Sequence, residues 1–165
     1  MPEIATIVTT SPDETRHAGE LLGRLVTPGD VVALTGDLGA GKTVLVQGIA
    51  SGLGVVGHVP SPTFNILLVH RAPVTLFHFD LYRLEEACQL ADIDFYETLE
   101  SGGVSVIEWA DRFPAELPWD RLDVTITAPD ESTRELRIAG TGPRAHRLAR
   151  RWLEKWQRQS KVGRA

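Results

Sequence analysis

The sequence predicts a single α/β domain whose sheet is mostly parallel inside, with antiparallel strands and helices at its margins. In the first half of the chain, short apolar runs bounded by turn residues alternate with helical patterns, which is typical of parallel strands joined by helices. In the second half, pairs of short strands follow one another closely, which favours antiparallel margins. The chain has 165 residues and 42% hydrophobic content, which suits one core.

The first half is predicted to run strand, helix, strand, helix. Residues 3–8 have the pattern of a short strand, and a capping box that starts at Ser11 predicts a helix extending to about Val26. Residues 31–35 (VVALT) are nearly all apolar, which indicates a strand buried on both faces of a sheet. The helix that follows is predicted to end at the glycines of residues 52–54.

The second half is predicted to contain a hairpin, one more buried strand and a final antiparallel pair. In that order, the strands are residues 64–69 and 75–79, residues 104–109, and residues 121–127 and 134–139. Residues 84–91 show helical spacing between the hairpin and the buried strand.

The net charge of −5 is distributed unevenly along the chain. Residues 143–165 carry eight Lys or Arg and one Glu, a net charge of +7, whereas residues 1–142 carry nine basic and 21 acidic side chains, a net charge of −12. We therefore separate a domain of residues 1–142 from a basic tail of residues 143–165. A solvated helix or partial disorder is the ordinary explanation of such a tail, and contact with RNA or an acidic partner is the functional alternative.

Several functional classes find no support in the sequence. Cys88 is the only cysteine and cannot form an internal disulfide, no His/Cys cluster has zinc-ligand spacing, and no G-x-S-x-G motif is present. No apolar stretch approaches the roughly 18 residues of a membrane span, and the first residues lack the layout of a secretion signal. We expect a cytoplasmic protein without a membrane partner.

Residues 36–43 (GDLGAGKT) match the phosphate-binding motif G-x-x-x-x-G-K-[ST] between a predicted strand and a predicted helix. Glycines allow the backbone to fold around a phosphate, so that amides and the positive end of the helix point at the anion. The fold prediction becomes a P-loop NTPase, with Lys42 on the β and γ phosphates and Thr43 on Mg²⁺. The predicted nucleotide contacts of this loop are Asp37, Leu38, Gly39, Ala40, Gly41, Lys42 and Thr43.

Acidic residues end two of the predicted strands, at the sheet edge where ligands of α/β proteins bind. Asp80 and Glu108 are therefore candidates to bind the metal or to orient water, although such a residue can also be a helix cap or a surface charge. ATP is favoured over GTP, because the guanine motif Asn-Lys-x-Asp is missing and Asn65 is the only asparagine. Trp109 either stacks on the base or fills the core.

Ser61 and Thr63 flank Pro62, which keeps this segment out of helix. Their hydroxyls suit a loop that senses the γ-phosphate, and an ordinary turn is the alternative. His78 lies between two phenylalanines, as a half-buried histidine would.

Four motifs, GDLGAGKT, SPTF, HFDLYRL and IEW, occur in the order and spacing of the TsaE family, which the chain resembles over about residues 10–140. That family contains the bacterial ATPase required for threonylcarbamoyladenosine modification of tRNA. The resemblance implies that Thr43 and Glu108 bind Mg²⁺, and that Asp80 is a catalytic or supporting carboxylate. It also implies that residues 61–63 form a switch-like loop. The base is implied to lie between Thr10 and Ser11 on one side and Arg134 on the other. The basic tail is not part of the common pattern.

The resemblance further implies partners. An ATPase of this family acts on the TsaB–TsaD complex, which modifies adenosine 37, so that tRNA is reached through the complex. ATP hydrolysis would reset the complex, and would be slow in the isolated protein. Two other interpretations stay open: a small-molecule kinase, and a nucleotide-binding switch module with incidental hydrolysis.

Overall fold

One mixed sheet organises the molecule, and the computed structural model describes residues 4–60 and 65–162 of it. The strands are β1 (Ile4–Thr9), β2 (Val31–Thr35), β3 (Leu67–His70), β4 (Leu76–Asp80), β5 (Val104–Glu108), β6 (Leu122–Thr127) and β7 (Arg134–Gly140). Their order across the sheet is β1-β7-β6-β2-β5-β4-β3. The inner strands β6, β2, β5 and β4 pair in parallel, and the outer pairs are antiparallel. The α/β sheet predicted from the sequence is confirmed.

Helices cover both faces of this sheet. They are α1 (Pro12–Leu25), α2 (Lys42–Leu53), α3 (Gln89–Asp92), α4 (Phe95–Leu99) and α5 (Pro143–Val162), with short 3-10 turns at Ala110–Arg112 and Pro114–Glu116. The alternation of β2 shows the layering: Val32 and Leu34 belong to the core under α1, α2 and α5, whereas Val31 and Ala33 belong to the core under α3 and α4. Of the helices in the described part of the chain, none is long and apolar enough to cross a bilayer.

The N-cap predicted at Ser11 is present, but Glu14 bonds to the amide of Thr10, the residue before the cap, and not to the Ser11 amide as the capping box predicts. The Ser11 hydroxyl accepts a hydrogen bond from the Glu14 amide at 3.1 Å, and the Glu14 carboxylate accepts one from the Thr10 amide at 3.3 Å. The first of these bonds satisfies an amide that the first turn of a helix otherwise leaves unpaired, so α1 begins where its sequence predicts.

Glycines bring α1 and α2 into backbone contact. A Cβ atom at Gly19 would lie 2.3 Å from the Leu45 carbonyl oxygen, and one at Gly48 would lie 2.0 Å from that of Arg16. Only glycine permits this approach at both positions. The packing fixes α2, whose first residues are Lys42 and Thr43, against the rest of the domain.

Residues 143–162 are not a solvated tail, because α5 contributes one face to the core. Ala145, Leu148, Ala149 and Trp152 are buried in it, and the Trp152 indole Nε1 donates a hydrogen bond of 2.8 Å to the Ala18 carbonyl. The segment takes the helical form that was one of its two predicted alternatives, and α5 packs on the same core as the strands. Its apolar positions have helical spacing, but the charge count draws attention to the other face.

Two further predictions are wrong in their bounds. The helix predicted over residues 84–91 begins only at Gln89, because the amides of Glu85 and Glu86 bond to the Gln89 side chain instead of continuing a helix. Strand β5 ends at Glu108, and Trp109 follows in a left-handed conformation with φ of 58°. The first predicted hairpin strand starts at Phe64, outside the described residues, and β3 starts at Leu67.

Candidate functional site

The glycine-rich loop connects the carboxyl end of β2 to the start of α2. Gly39 and Gly41 have φ of 80° and 108°, a region that side chains rarely permit. Gly41 is the N-cap of α2 without a side-chain cap, and the first turn of α2 holds no acidic residue. The amides and the positive end of this helix are thus arranged to receive an anion.

Lys42 is buried at the centre of the loop. Its ammonium donates hydrogen bonds to the carbonyl oxygens of Gly36 and Asp37, the second at 2.9 Å. It also lies 4.2 Å from the centre of the Trp109 ring, within cation–π range. The loop therefore holds the charge of Lys42 with its own carbonyl oxygens and one aromatic face.

The electrostatic surroundings of Lys42 are acidic. Burial lowers the pKa of the Lys42 ammonium from its ordinary value, and nearby carboxylates oppose that shift. These carboxylates belong to Glu108, Asp80, Asp111 and Asp37. Lys42 is thus a single buried cation among four carboxylates.

Thr43 and Glu108 meet across the boundary between α2 and β5. The Thr43 hydroxyl lies 3.5 Å from Glu108 Oε1, and Glu108 Oε2 lies 2.5 Å from His78 Nε2. Asp80 is the register partner of Glu108 on the neighbouring parallel strand, and its carboxylate accepts a hydrogen bond from the Tyr82 amide at 3.0 Å. The three predicted metal ligands therefore lie together, Thr43 at the start of α2 and Asp80 and Glu108 at the ends of β4 and β5.

These donors fit a hard divalent cation. Hydroxyl and carboxylate oxygens are the ligands of Mg²⁺, which usually keeps several waters and binds through one or two carboxylates together with substrate phosphates. Within the described residues, no three His, Cys, Asp or Glu side chains are grouped as a metal site. The chain thus offers part of a coordination shell, as Mg²⁺ bound with a phosphate requires.

Three cavities surround the loop. The first, of about 410 Å³, lies between the loop and the end of β6 and is lined in part by Trp109, Asp111 and residues 125–128. The second, of about 260 Å³, contains Lys42, Thr43, Asp80, Glu108 and Trp109. The third, of about 120 Å³, is lined by Ser11, Arg134 and neighbouring residues. Gly39 lines all three.

The residues predicted to contact the base do not all line the same cavity. Ser11 and Arg134 line the same small cavity, whereas the Thr10 hydroxyl is bonded to Glu14. Three hydrogen bonds hold Arg134 Nη1 to the carbonyl oxygens of Asp130, Glu131 and Thr133. Ser61 and Thr63 lie outside the described residues.

A family model described as "Threonylcarbamoyl adenosine biosynthesis protein TsaE" matches residues 9–136. The chain belongs to the TsaE family. Two relatives carry the name tRNA threonylcarbamoyladenosine biosynthesis protein TsaE. That of Treponema pallidum is 39% identical over 132 residues, 80% of this chain and 98% of the relative. That of Bacillus subtilis is 38% identical over 141 residues, 85% and 88% of the two chains.

A solved structure agrees with this assignment. The crystal structure of Bacillus subtilis YdiB is 30% identical, with a TM-score of 0.78 over 97% of this chain and 98% of that one. At that coverage the match includes most of α5, although the family model ends at residue 136.

In this TsaE family member, the sequence identified the loop and both acids but missed two neighbours. The sequence predicts a half-buried His78, whereas the side chain is fully buried against Glu108. Its position two residues before Asp80 was the available signal, because alternate residues of a strand share a face. Asp111 gave no such signal, since a 3-10 turn places it at the first cavity.

Trp109 fills part of the core, as one of the two alternatives predicts, and stacking on a base stays a prediction. Its half-buried ring packs against the core under α3 and α4, lies 4.8 Å from the Tyr82 ring and lines both larger cavities.

Proposed function

We propose that this TsaE family member binds and hydrolyses ATP with Mg²⁺ as a P-loop NTPase. It would act on the TsaB–TsaD complex in the formation of N6-threonylcarbamoyladenosine at adenosine 37 of tRNA. The observation that carries the proposal is the 3.5 Å approach of the Thr43 hydroxyl to Glu108. It joins the last residue of the phosphate-binding motif to the acid that ends a neighbouring parallel strand.

Phosphate binding would use groups that are already in place. The loop amides and the start of α2 face the anion, and Lys42 would exchange the carbonyl oxygens of Gly36 and Asp37 for phosphate oxygens. The exchange relieves the cost of a buried ammonium that has only neutral acceptors. Lys42 would then stabilise the charge that develops on the transferred phosphoryl group.

The acidic surroundings of Lys42 support a requirement for Mg²⁺. A triphosphate adds charge to a site that already holds the carboxylates of Asp80 and Glu108. Bound Mg²⁺ neutralises phosphate charge during transfer. The Thr43 hydroxyl and Glu108 would hold the ion, and Asp80 would orient the attacking water from the adjacent strand.

The exposed rim of the site supports control by a partner. Leu38, at the tip of the loop, is 85% exposed, and Tyr82, beside Trp109, is 48% exposed. We interpret these two exposed apolar groups as part of the surface that a partner would cover. We expect slow hydrolysis in the isolated chain and faster hydrolysis when the TsaB–TsaD complex excludes water from the site.

The test is phosphate release from ATP with Mg²⁺, measured for this protein alone and with purified TsaB, TsaD and tRNA. We expect a large stimulation by the partners that Lys42→Ala abolishes. A turnover of about 10 per second by the isolated protein, or the absence of stimulation, would contradict the partner-dependent part of the proposal.

Two other activities have their own readouts. Stoichiometric phosphate transfer to a nucleoside, sugar or acid would identify a kinase. Modification of tRNA that survives in Glu108→Ala, with ATP binding intact and hydrolysis lost, would identify a switch module that needs binding alone.

A further inference from the structure

We propose that the exposed face of α5 binds the phosphodiester backbone of tRNA directly. The face is defined by Arg147, Arg150, Arg151, Lys155 and Arg158, and is called the basic strip. The inference rests on the proposed function for the identity of the RNA. It goes beyond that function, in which tRNA is reached only through the TsaB–TsaD complex.

The basic strip is the solvent side of a helix whose other side is fixed. Leu148, Ala149 and Trp152 are buried in the core, while the five basic residues are exposed. At about 1.5 Å per residue, the strip extends roughly 16 Å from Arg147 to Arg158. A rigid row of cations, rather than a flexible tail, is thus presented to solvent.

The strip has a net positive charge, because Glu154, four residues from both Arg150 and Arg158, is the one acid among its five basic residues. Among the described residues, none of the five basic side chains forms an ion pair, in contrast to Arg144, whose guanidinium binds the Asp30 carboxylate. Arg147, Arg151 and Lys155 follow one another at four-residue intervals, a spacing at which like charges on a helix repel. An external polyanion would relieve this repulsion.

The chemistry of the strip favours phosphate over a protein surface. The large hydrophobic side chains that are well exposed all lie outside α5 in the described structure, whereas the centre of a protein interface normally has an apolar or aromatic anchor. Four of the five residues are arginine, whose guanidinium binds phosphate through two parallel hydrogen bonds. Such contacts hold a nucleic acid backbone without reading its bases.

The strip lies toward the β1 side of the sheet. Helix α5 packs on β7, β6, β1 and α1, toward one edge of the sheet, whereas Tyr82 follows β4 near the other edge. The helix starts near Asp30, which precedes β2, whereas the glycine-rich loop follows the other end of β2. Helix α5 runs toward α1, where the Trp156 and His17 rings are 6.3 Å apart.

The distribution of charge favours RNA binding at the strip rather than elsewhere on the protein. Residues 1–142 carry a net charge of −12, which repels a polyanion, whereas the strip attracts it. Affinity for RNA should therefore depend on a few side chains of α5 and fall steeply with salt.

The experiment is the binding of a labelled tRNA transcript to the full-length protein, measured by fluorescence anisotropy from about 50 to 200 mM NaCl. We expect log affinity to fall against log salt with a slope of about −3 to −4, since up to five phosphates would be neutralised. The double variant Arg147→Gln/Arg151→Gln should weaken binding about tenfold or more at the low-salt end and reduce the slope by about two.

The matched control is Arg16→Gln/Arg24→Gln on α1. It makes the same change of net charge at two exposed arginines that are paired with Asp13 and Glu20. Control affinity should stay near that of the wild type. An equal loss of tRNA affinity in both double variants would mean that net charge alone determines binding, and would overturn the proposal. Undetectable tRNA binding by the wild type at low salt would also overturn it.

Two further measurements separate the possible failures. If the α5 variant loses capture of TsaB–TsaD but keeps tRNA affinity, the strip is a protein-docking surface and the proposal is wrong. ATP binding, measured on the same variants, should be unchanged. If the protein hydrolyses ATP but its RNA binding does not depend on the strip, only the proposal for the strip is refuted. If RNA binding depends on the strip but ATP is not hydrolysed, only the proposed ATPase activity is refuted.

Discussion

His78 Nε2 lies 2.5 Å from Glu108 Oε2, and both side chains are buried. This bond holds one oxygen of the carboxylate, while the other oxygen faces the Thr43 hydroxyl. The two strands that carry His78 and Glu108 are adjacent and parallel, so the sheet itself fixes the pair. We interpret His78 as a positioning residue that orients Glu108 toward the start of α2.

Replacement of His78 tests that interpretation. His78→Leu should lower the free energy of unfolding by about 1–3 kcal/mol, because a buried carboxylate loses its hydrogen-bond partner. The loss should be at the lower end, since the substitution also removes Nδ1, which has no partner within the described residues. His78→Gln, which retains an N–H donor, should recover part of the stability and of the apparent Mg²⁺ affinity of the ATPase. Equal urea unfolding and Mg²⁺ titration curves for the two variants would argue against a positioning role.

The two acids of the site should differ in their effect on metal binding. Glu108→Gln should raise the Mg²⁺ concentration for half-maximal ATPase activity by about tenfold or more, because Glu108 is the acid that contacts the Thr43 hydroxyl. Asp80→Asn should mainly lower kcat, as expected of a group that orients water. Mg²⁺ titrations of partner-stimulated ATP hydrolysis measure both effects. The reverse pattern would make Asp80 the direct ligand.

Trp152 tests whether α5 is part of the folded core. Trp152→Ala should cost about 3–5 kcal/mol in the free energy of unfolding, because a buried indole leaves a cavity. Trp152→Phe, which keeps most of the volume but loses the bond to the Ala18 carbonyl, should cost less. Trp119→Ala is the control, since Trp119 is 66% exposed. Denaturant unfolding followed by circular dichroism gives all three values. Similar losses of unfolding free energy for Trp152→Ala and Trp119→Ala would contradict the placement of α5 in the core.

The stability that Asp130 contributes, in the loop before Arg134, should depend on pH. Its carboxylate accepts hydrogen bonds from the amides of Thr133 and Ser132, which lower the pKa of Asp130 below its ordinary value. Because the folded protein binds this proton less tightly than the unfolded chain, the stabilisation is complete above the unfolded pKa. It is lost as pH falls through the folded pKa.

Asp130→Ala should therefore have a lower Tm than the wild type at neutral pH, and the difference should hold down to about pH 5 and shrink below about pH 4. Thermal melts across this range measure it. Glu131→Ala is the neighbouring control, because the Glu131 side chain is exposed and only its backbone carbonyl binds Arg134. A Tm difference that persists unchanged at the lowest pH would show that the carboxylate charge is not its source.

The sequence by itself determined the elements whose hydrogen bonds are local. The Ser11 N-cap, the apolar run of β2 and the glycine-rich loop each depend on residues a few positions apart, and each lies where its pattern predicts. The alternation of strands and helices also determined the class of the sheet.

The tertiary structure decided what depends on contacts between distant parts of the chain. His78 and Glu108 are 30 residues apart, Trp152 and Ala18 are 134 apart, and no local pattern specifies either bond. The charge of α5 indicated a solvated tail, yet a helix can be basic on one side and buried on the other, because 3.6 residues per turn separate the two faces. Packing against α1 and the sheet, rather than composition, placed that helix in the core.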